Sequence, residues 1–182
     1  MKKTFTKMAI VAIALTMSMA VNAQETGDKA AGAFLRVGLY DGEIAPNIGI
    51  GAKFQYNVTD PIRLDGSFTF FFPKKWDFLG ASISATMWNL DFNGHYLFPV
   101  SDQFNVYPLA GLAFVGIGAK SKGTIMGEKI NSSASKTYVG VNLGGGVDFK
   151  LSDDLYLNGE LKLQVMDGGS DLFISAGIVK KF

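Results

Sequence analysis

The chain has one histidine and no cysteine, so its means for reactive chemistry near neutral pH are narrow. His95 would be the obvious general base, and in an extended reading it shares a face with Asp91. Four residues along a strand span about 13 Å, too far for a hydrogen bond, so His95 is expected to serve in interior packing or hydrogen bonding, without a catalytic role. One histidine with scattered acids does not make a metal-ligand set. Gly144-Gly145-Gly146 follows Leu143 inside an extended segment and opens no helix, which argues against a phosphate cradle. Gly144 and Gly146 are instead predicted to make room for a large side chain across an interior. The expected catalytic, cofactor-binding and metal-binding sets are therefore all empty.

Two other groups of polar residues carry information. Arg36, Lys53, Arg63, Lys150 and Lys162 fall on the polar face of alternating segments together with Asp65, Asp91, Asp148, Glu160 and His95. The signs nearly balance, which predicts a buried ion-pair network, with Glu160 and Lys162 paired to charges such as Arg63 or Arg36. The second group is Lys74-Lys75-Trp76, within the segment 73–78, where two ammonium groups stand beside aromatic rings. At a membrane rim such a trio could meet lipopolysaccharide phosphates while the aromatics rest in the interface.

The elements that position these residues are strands. Period-2 alternation is cleanest over 47–58, 62–72 and 155–165, where one face is apolar and the other polar or charged. Further strands fit 33–40, 81–98, 104–117, 136–151 and 172–182, which makes eight. The alternation changes phase between Met87 and Trp88, predicting a bulge there. Three connections share an apolar, Ser or Thr, Asp, any, apolar pattern: Val58-Thr59-Asp60-Pro61-Ile62, Val100-Ser101-Asp102-Gln103-Phe104 and Leu151-Ser152-Asp153-Asp154-Leu155. Ser, Thr and Asp side chains can bond back to nearby amides and close tight turns. These turns take every second connection. The unlike connections near 41–46, 73–80, 120–135 and 166–171 are expected as loops at the opposite end of an up-and-down meander.

Alternation alone does not say which face is inside, and a secreted lipocalin-like barrel would alternate too. Composition decides between them. The apolar faces of the three cleanest strands carry no charge over their length, whereas a water-facing surface should be rich in Lys and Glu. Strands of this length, tilted by about 40°, match the hydrocarbon thickness. An open edge in hydrocarbon would leave backbone groups unpaired at several kcal/mol each, so the first strand must pair with the last. The expected fold is all-β: a closed antiparallel up-and-down transmembrane β-barrel of eight strands, with Tyr56, Tyr96, Phe98, Phe104 and Phe149 forming an aromatic girdle near the short turns.

The N-terminus has a basic start, an apolar run from Met8 to Ala20 and a Val21-Asn22-Ala23 small-x-small site, the pattern of a secretory signal peptide over 1–23. A short lead, 24–32, and a barrel over 33–182 follow. Loss of Lys2, Lys3 and Lys7 leaves 14 basic against 16 acidic residues, with no basic patch of the kind nucleic-acid binding needs.

Residues 32–182 resemble the small outer-membrane barrel proteins of the OmpA/OmpX kind. The final strand carries the resemblance, with Ile174, Ala176 and Ile178 on one face and Phe182 at the end, although Lys180 stands where the family usually has an aromatic. The resemblance implies residence in the cell outer membrane with periplasmic termini and a terminal Phe182 read by the barrel-assembly machinery. With the rim trio, the expected partners are outer-membrane lipid and lipopolysaccharide. The function expected is that of a monomeric integral barrel with a structural or surface-interaction role, no catalysis and no cofactor. A lipid-modifying barrel enzyme and a narrow porin-like channel are the alternatives.

Overall fold

The computed structural model describes residues 25–40, 47–78, 81–125, 128–167 and 169–182. The predicted signal segment and the predicted connection 41–46 lie outside them. Nine strands form: β1 (Lys29–Tyr40), β2 (Asn47–Thr59), β3 (Ile62–Phe78), β4 (Ala81–Tyr96), β5 (Phe98–Ser101), β6 (Phe104–Ile125), β7 (Glu128–Lys150), β8 (Leu155–Met166) and β9 (Gly169–Lys181). All pairings are antiparallel, in the order β4-β3-β2-β1-β9-β8-β7-β6-β5, with β4 also paired to β6. β5 continues β4 beyond Leu97 in the same register on β6, from His95 opposite Leu109 to Phe98 opposite Val106. The two are one stave, and the sheet is a closed barrel of eight staves. β1 closes against β9 from Ala30 opposite Lys181 to Tyr40 opposite Asp171, as the absence of partners in hydrocarbon requires.

The register sets the width of the barrel. From Phe98, cross-strand partners lead through Val106, Val147, Gly159, Ala176, Leu35, Ile50 and Phe70 to Trp88, ten residues along the stave from the start. In an eight-stave barrel that stagger goes with a strand tilt of about 40° and an interior just wide enough for side chains to fill. The outward residues Ile62, Leu64, Phe68, Phe70 and Phe72 are all exposed. Their segment, 62–72, covers about 25 Å along the barrel axis at that tilt, the height of an outer-membrane apolar band.

Each short turn closes as its composition predicts. The Thr59 hydroxyl accepts from the Ile62 amide at 3.2 Å, the Ser101 hydroxyl from the Gln103 amide at 3.4 Å, and Ser152 bonds Asp154 at 3.0 Å. The Ser152 hydroxyl, helped by Lys180, holds the Asp154 carboxyl below the usual carboxylate range. Ahead of β1, Gly27 takes a φ of 92°, a conformation glycine reaches without steric cost. The lead is tied down there by the Gly27 amide on the Asn57 carbonyl and by Thr26 on Asp60.

Five expectations change. β1 begins at Lys29, inside the expected lead 24–32. The segment 73–78 is strand, not loop, and so is nearly all of 120–135, because β6 and β7 remain paired out to Ile125 opposite Glu128. The connection at 166–171 is also shorter, since β8 runs to Met166 and β9 starts at Gly169. Pairing of β4 with β6 is unbroken from Ala81 to His95, so the predicted bulge is not in β4. The irregularity lies in β3, between Phe71 and Lys74, where Pro73 has no N–H to give the ladder.

The assignment of faces is testable on one strand. Leu161 is half exposed on the outer face, whereas Gln164 is fully buried inside, with Asp171 as its cross-strand partner. Leu161→Arg should weaken folding into bilayers by about 2–4 kcal/mol, and Gln164→Arg by clearly less, in urea-dependent folding into lipid vesicles.

Candidate functional site

The inward phase of every stave points polar side chains into the lumen, and they meet in linked clusters. At one, Asp91 of β4 accepts from Arg36 Nη1 of β1 at 2.7 Å, Lys162 Nζ of β8 at 2.5 Å and Asn142 Nδ2 of β7 at 2.9 Å. Arg36 Nε also donates to the Ser175 hydroxyl at 3.1 Å. At a second, Glu160 is ion-paired with Lys53 and accepts from the Tyr107 hydroxyl at 3.0 Å. At a third, Arg63 Nη1 donates to Asp148 at 2.7 Å. Asn158 joins the last two, accepting from Lys53 at 2.8 Å and donating to Asp148 at 2.7 Å. Arg36, Arg63 and Asp91 are 0 % exposed, and Glu160, the most open of these charges, only 6 %.

Aromatic faces complete the shell around the cations. The Arg36 guanidinium lies 4.9 Å from the Phe34 ring and 5.5 Å from that of Phe173, and Arg63 lies 4.7 Å from Tyr107. Such contacts let a desolvated cation keep part of its electrostatic stabilisation. Leu97, Tyr107 and Leu109 make a small apolar cluster on the same inner surface.

Of the ten predicted lumen residues, the structure brings nine together. Lys150 stands apart. It lies at the turn-end rim, a third exposed, and pairs with Asp153 at 2.9 Å, because β7 has left the lumen by that point. Glu160 meets Lys53, not Arg63 or Arg36, since the barrel's stagger sets β2 and β8 side chains at one depth. Gly146 does make room for a large side chain, but for Tyr107 on the adjacent strand and not for one across the lumen: a Cβ there would come within 2.5 Å of the phenol ring. Tyr107, Asn142, Asn158 and Gln164 are connectors that charge balance alone did not reveal. Their inward position in the alternation was the available signal.

His95 is buried, stacked on Tyr107 with ring centroids 4.5 Å apart, and its Nδ1 accepts from Arg63 Nε at 3.2 Å. Asp65, His95 and Glu160 offer atoms within 4.8 Å of one another. Because Nδ1 accepts from Arg63, the ring proton sits on Nε2, which has no protein partner and is a donor, not a metal ligand. Lys53 already holds Glu160. The trio therefore suits a hydrogen-bonded polar cluster better than an ion site.

Strand alternation divides the rim trio between two faces, and the β3 bulge before it sets which member points outward. Lys74 and Trp76 lie opposite Ala85 and Ile83, in the inward phase of β4, while Lys75 lies opposite Ser84, in its outward phase. Trp76 is half exposed, as is Trp88's neighbour Phe68 in the apolar belt. The terminal Phe182 is 70 % exposed, with its ring 6.4 Å from Phe54 and its amide on the Lys29 carbonyl at 2.9 Å.

A closed, tilted, inside-polar barrel of this size is a recurrent architecture of one membrane. A family profile described as outer membrane protein beta-barrel domain matches residues 8–179. The chain belongs to this family. Comparison with curated protein sequences finds no match. Among solved structures, the barrel is similar to Ail, the attachment invasion locus protein of Yersinia pestis. The TM-score is 0.59 at 14% identity, covering 87% of this chain and 100% of that one. The N-terminal β-barrel domain of Pseudomonas aeruginosa OprF gives 0.56 at 19%, with 87% and 100% covered. OprG of the same organism gives 0.54 at 13%, with 88% and 98% covered. These likenesses establish the fold.

The lumen pairs generate a direct test. Glu160→Ala leaves Lys53 buried without its counter-charge, a change that costs about 3–5 kcal/mol. The folded, heat-modifiable band on a gel should be lost at a lower temperature than in the parent. The double variant Lys53→Met/Glu160→Met should recover most of the loss, since it removes both charges together. Additive losses would mean that the two groups do not interact.

Proposed function

We propose that the mature protein is a non-catalytic structural and surface-interaction barrel, exported by cleavage of the 1–23 signal peptide and inserted as a monomer. Its termini face the periplasm, the β6–β7 extension stands outside the cell, and Phe182 serves the assembly machinery as the recognised end. Outer-membrane lipid and lipopolysaccharide are its partners.

The observation that carries this reading is the packed lumen. Charged side chains that are 0–6 % exposed and locked to one another leave no wide aqueous path, which weighs against a porin-like channel. A lipid-modifying enzyme needs a base beside a nucleophile within reach of acyl chains. His95 points inward, is held by Arg63 and Tyr107, and among the described residues has no hydroxyl nucleophile bonded to it.

Orientation rests on the inequality of the two ends. Extracellular loops of such barrels are long and periplasmic turns short, and β6 and β7, at 22 and 23 residues, run well past the bilayer.

Purified protein in a planar bilayer should show no single-channel steps, and stepwise conductance would return the channel reading. An epitope inserted between Ile125 and Glu128 should bind antibody on intact cells. Labelling only after permeabilisation would invert the orientation.

A further inference from the structure

The outward face of β3, β4, β6 and β7 changes character along a single line. Up to the row Phe70, Trp88, Gly116 and Thr137, the outward residues of these strands are mostly apolar: Phe68, Phe92, Leu112 and Val141 are all about half exposed to lipid. The next row beyond it is Thr86, Gly118 and Ser135. Then come Lys75, Ser84, Lys120 and Ser133 side by side on four strands, and after them Ser82, Lys122 and Asn131, with Asp77 at the corresponding position of β3.

Three observations set this face apart from an ordinary solvated surface. Soluble surfaces carry the two signs of charge in near balance, yet here three lysines share the rows with one acid, Asp77, hydroxyls and an amide fill the other positions, and no ion pair engages Lys75, Lys120 or Lys122 among the described residues. The face is also concave. An open groove of about 510 Å³ runs over Gly116, Gly118, Ser133 and Ser135, with Lys120 on its wall. Trp88 floors it, lying so close over Gly116 that a Cβ there would come within 2.2 Å of the indole. Finally, the groove is continuous with the lipid-facing belt. Four residues from Trp88 to Ser84 put the lysine row about 10 Å above the apolar boundary at the barrel's tilt, the depth of headgroups and not of bulk water.

We infer that this face binds the phosphorylated sugar headgroup of an outer-leaflet glycolipid, with the Lys75, Lys120 and Lys122 ammonium groups on phosphate oxygens, the Ser and Thr hydroxyls on sugar and phosphate, and the acyl chains running down past Trp88. Lys75 and Lys120 lie two strands apart, about 10 Å, so they can grip one phosphate across Ser84 or two phosphates of one headgroup. The inference rests on the outward orientation and lipid partner proposed above and assigns that contact a site. Of the contiguous trio Lys74, Lys75 and Trp76, it uses Lys75 alone, the one in the outward phase, within a set assembled across strands.

The test uses mature protein refolded into phosphatidylcholine vesicles doped with diphosphorylated lipid A, read as the rise in the temperature at which the heat-modifiable band is lost. Wild type should be stabilised in a dose-dependent way. Lys75→Gln/Lys120→Gln/Lys122→Gln should raise the lipid A fraction needed by about 100-fold, and Lys120→Gln alone by about fivefold, which keeps the test decisive if the triple variant folds poorly. Lys180→Gln, at the short-turn end of the barrel, where Lys180 pairs with Asp154, should match wild type. An unchanged response in the lysine variants overturns the site. Inorganic phosphate at equal concentration should not stabilise the barrel; an equal effect from it would overturn the glycolipid assignment. Failure of these variants in a folded, non-conducting barrel removes the glycolipid site alone, whereas channel activity would remove the structural reading beneath it.

Discussion

The constraint on which this structure depends is that hydrocarbon offers no hydrogen-bond partner to a peptide group. Each unpaired amide in the bilayer costs several kcal/mol, so a sheet that crosses it must have no edge. That requirement brings β1 against β9 and β4 against β6, and it sets the stagger of ten residues needed to close eight twisted staves. Tilt and width then follow, and with them a lumen that side chains can fill. The inside-out distribution of polarity has the same origin, because the outer face meets lipid and the only place left for charge is within.

Charge within is costly unless it is met. A buried carboxylate or ammonium loses several kcal/mol of hydration, and good geometry with extra hydrogen bonds is required to offset that loss. Here Asp91 is shared by two cations and an amide, and Glu160 by a cation and a phenol. The partners are distant in sequence: 107 residues separate Lys53 from Glu160, and 85 separate Arg63 from Asp148. A register slip of one residue on any of these staves would turn the charge into lipid. The ion pairs are therefore compatible with one closed register, and in that register their side chains fill the lumen.

The two ends of the barrel differ because they meet different surroundings. At the short-turn end, backbone and hydroxyl hydrogen bonds close three compact turns, and Tyr96 and Phe98, 4.8 Å apart, contribute to the aromatic girdle. At the other end, four strands continue past the apolar belt as a paired ribbon whose outer face turns from aromatic to hydroxyl and lysine within two rows. Above the belt the strands must still satisfy their amides, and pairing does so without any apolar surface. This is why segments that read as loop, being small and polar, are strand.

Much of the architecture was legible in the residues themselves. Period-2 alternation fixed eight strands and their facing, the repeated Ser/Thr-Asp turns fixed the meander, and the solvent argument fixed closure. The inward set was legible too, because a charge on the polar phase of a transmembrane strand has nowhere to go but the lumen. What alternation cannot encode is depth. Which cation meets Glu160, whether Lys150 lies in the lumen or at the rim, and how Lys75 comes beside Lys120 all depend on the stagger between strands far apart in the chain. So does the bulge at Pro73, which inverts the alternation of β3 and so turns Lys75 outward and Lys74 inward, the reverse of what the phase of 62–72 predicts. The chain by itself determined which residues face in and which face out, because facing is a local property of a pleated strand. Only the closed barrel decided which of them meet, because neighbours across strands are set by the shear that closure imposes.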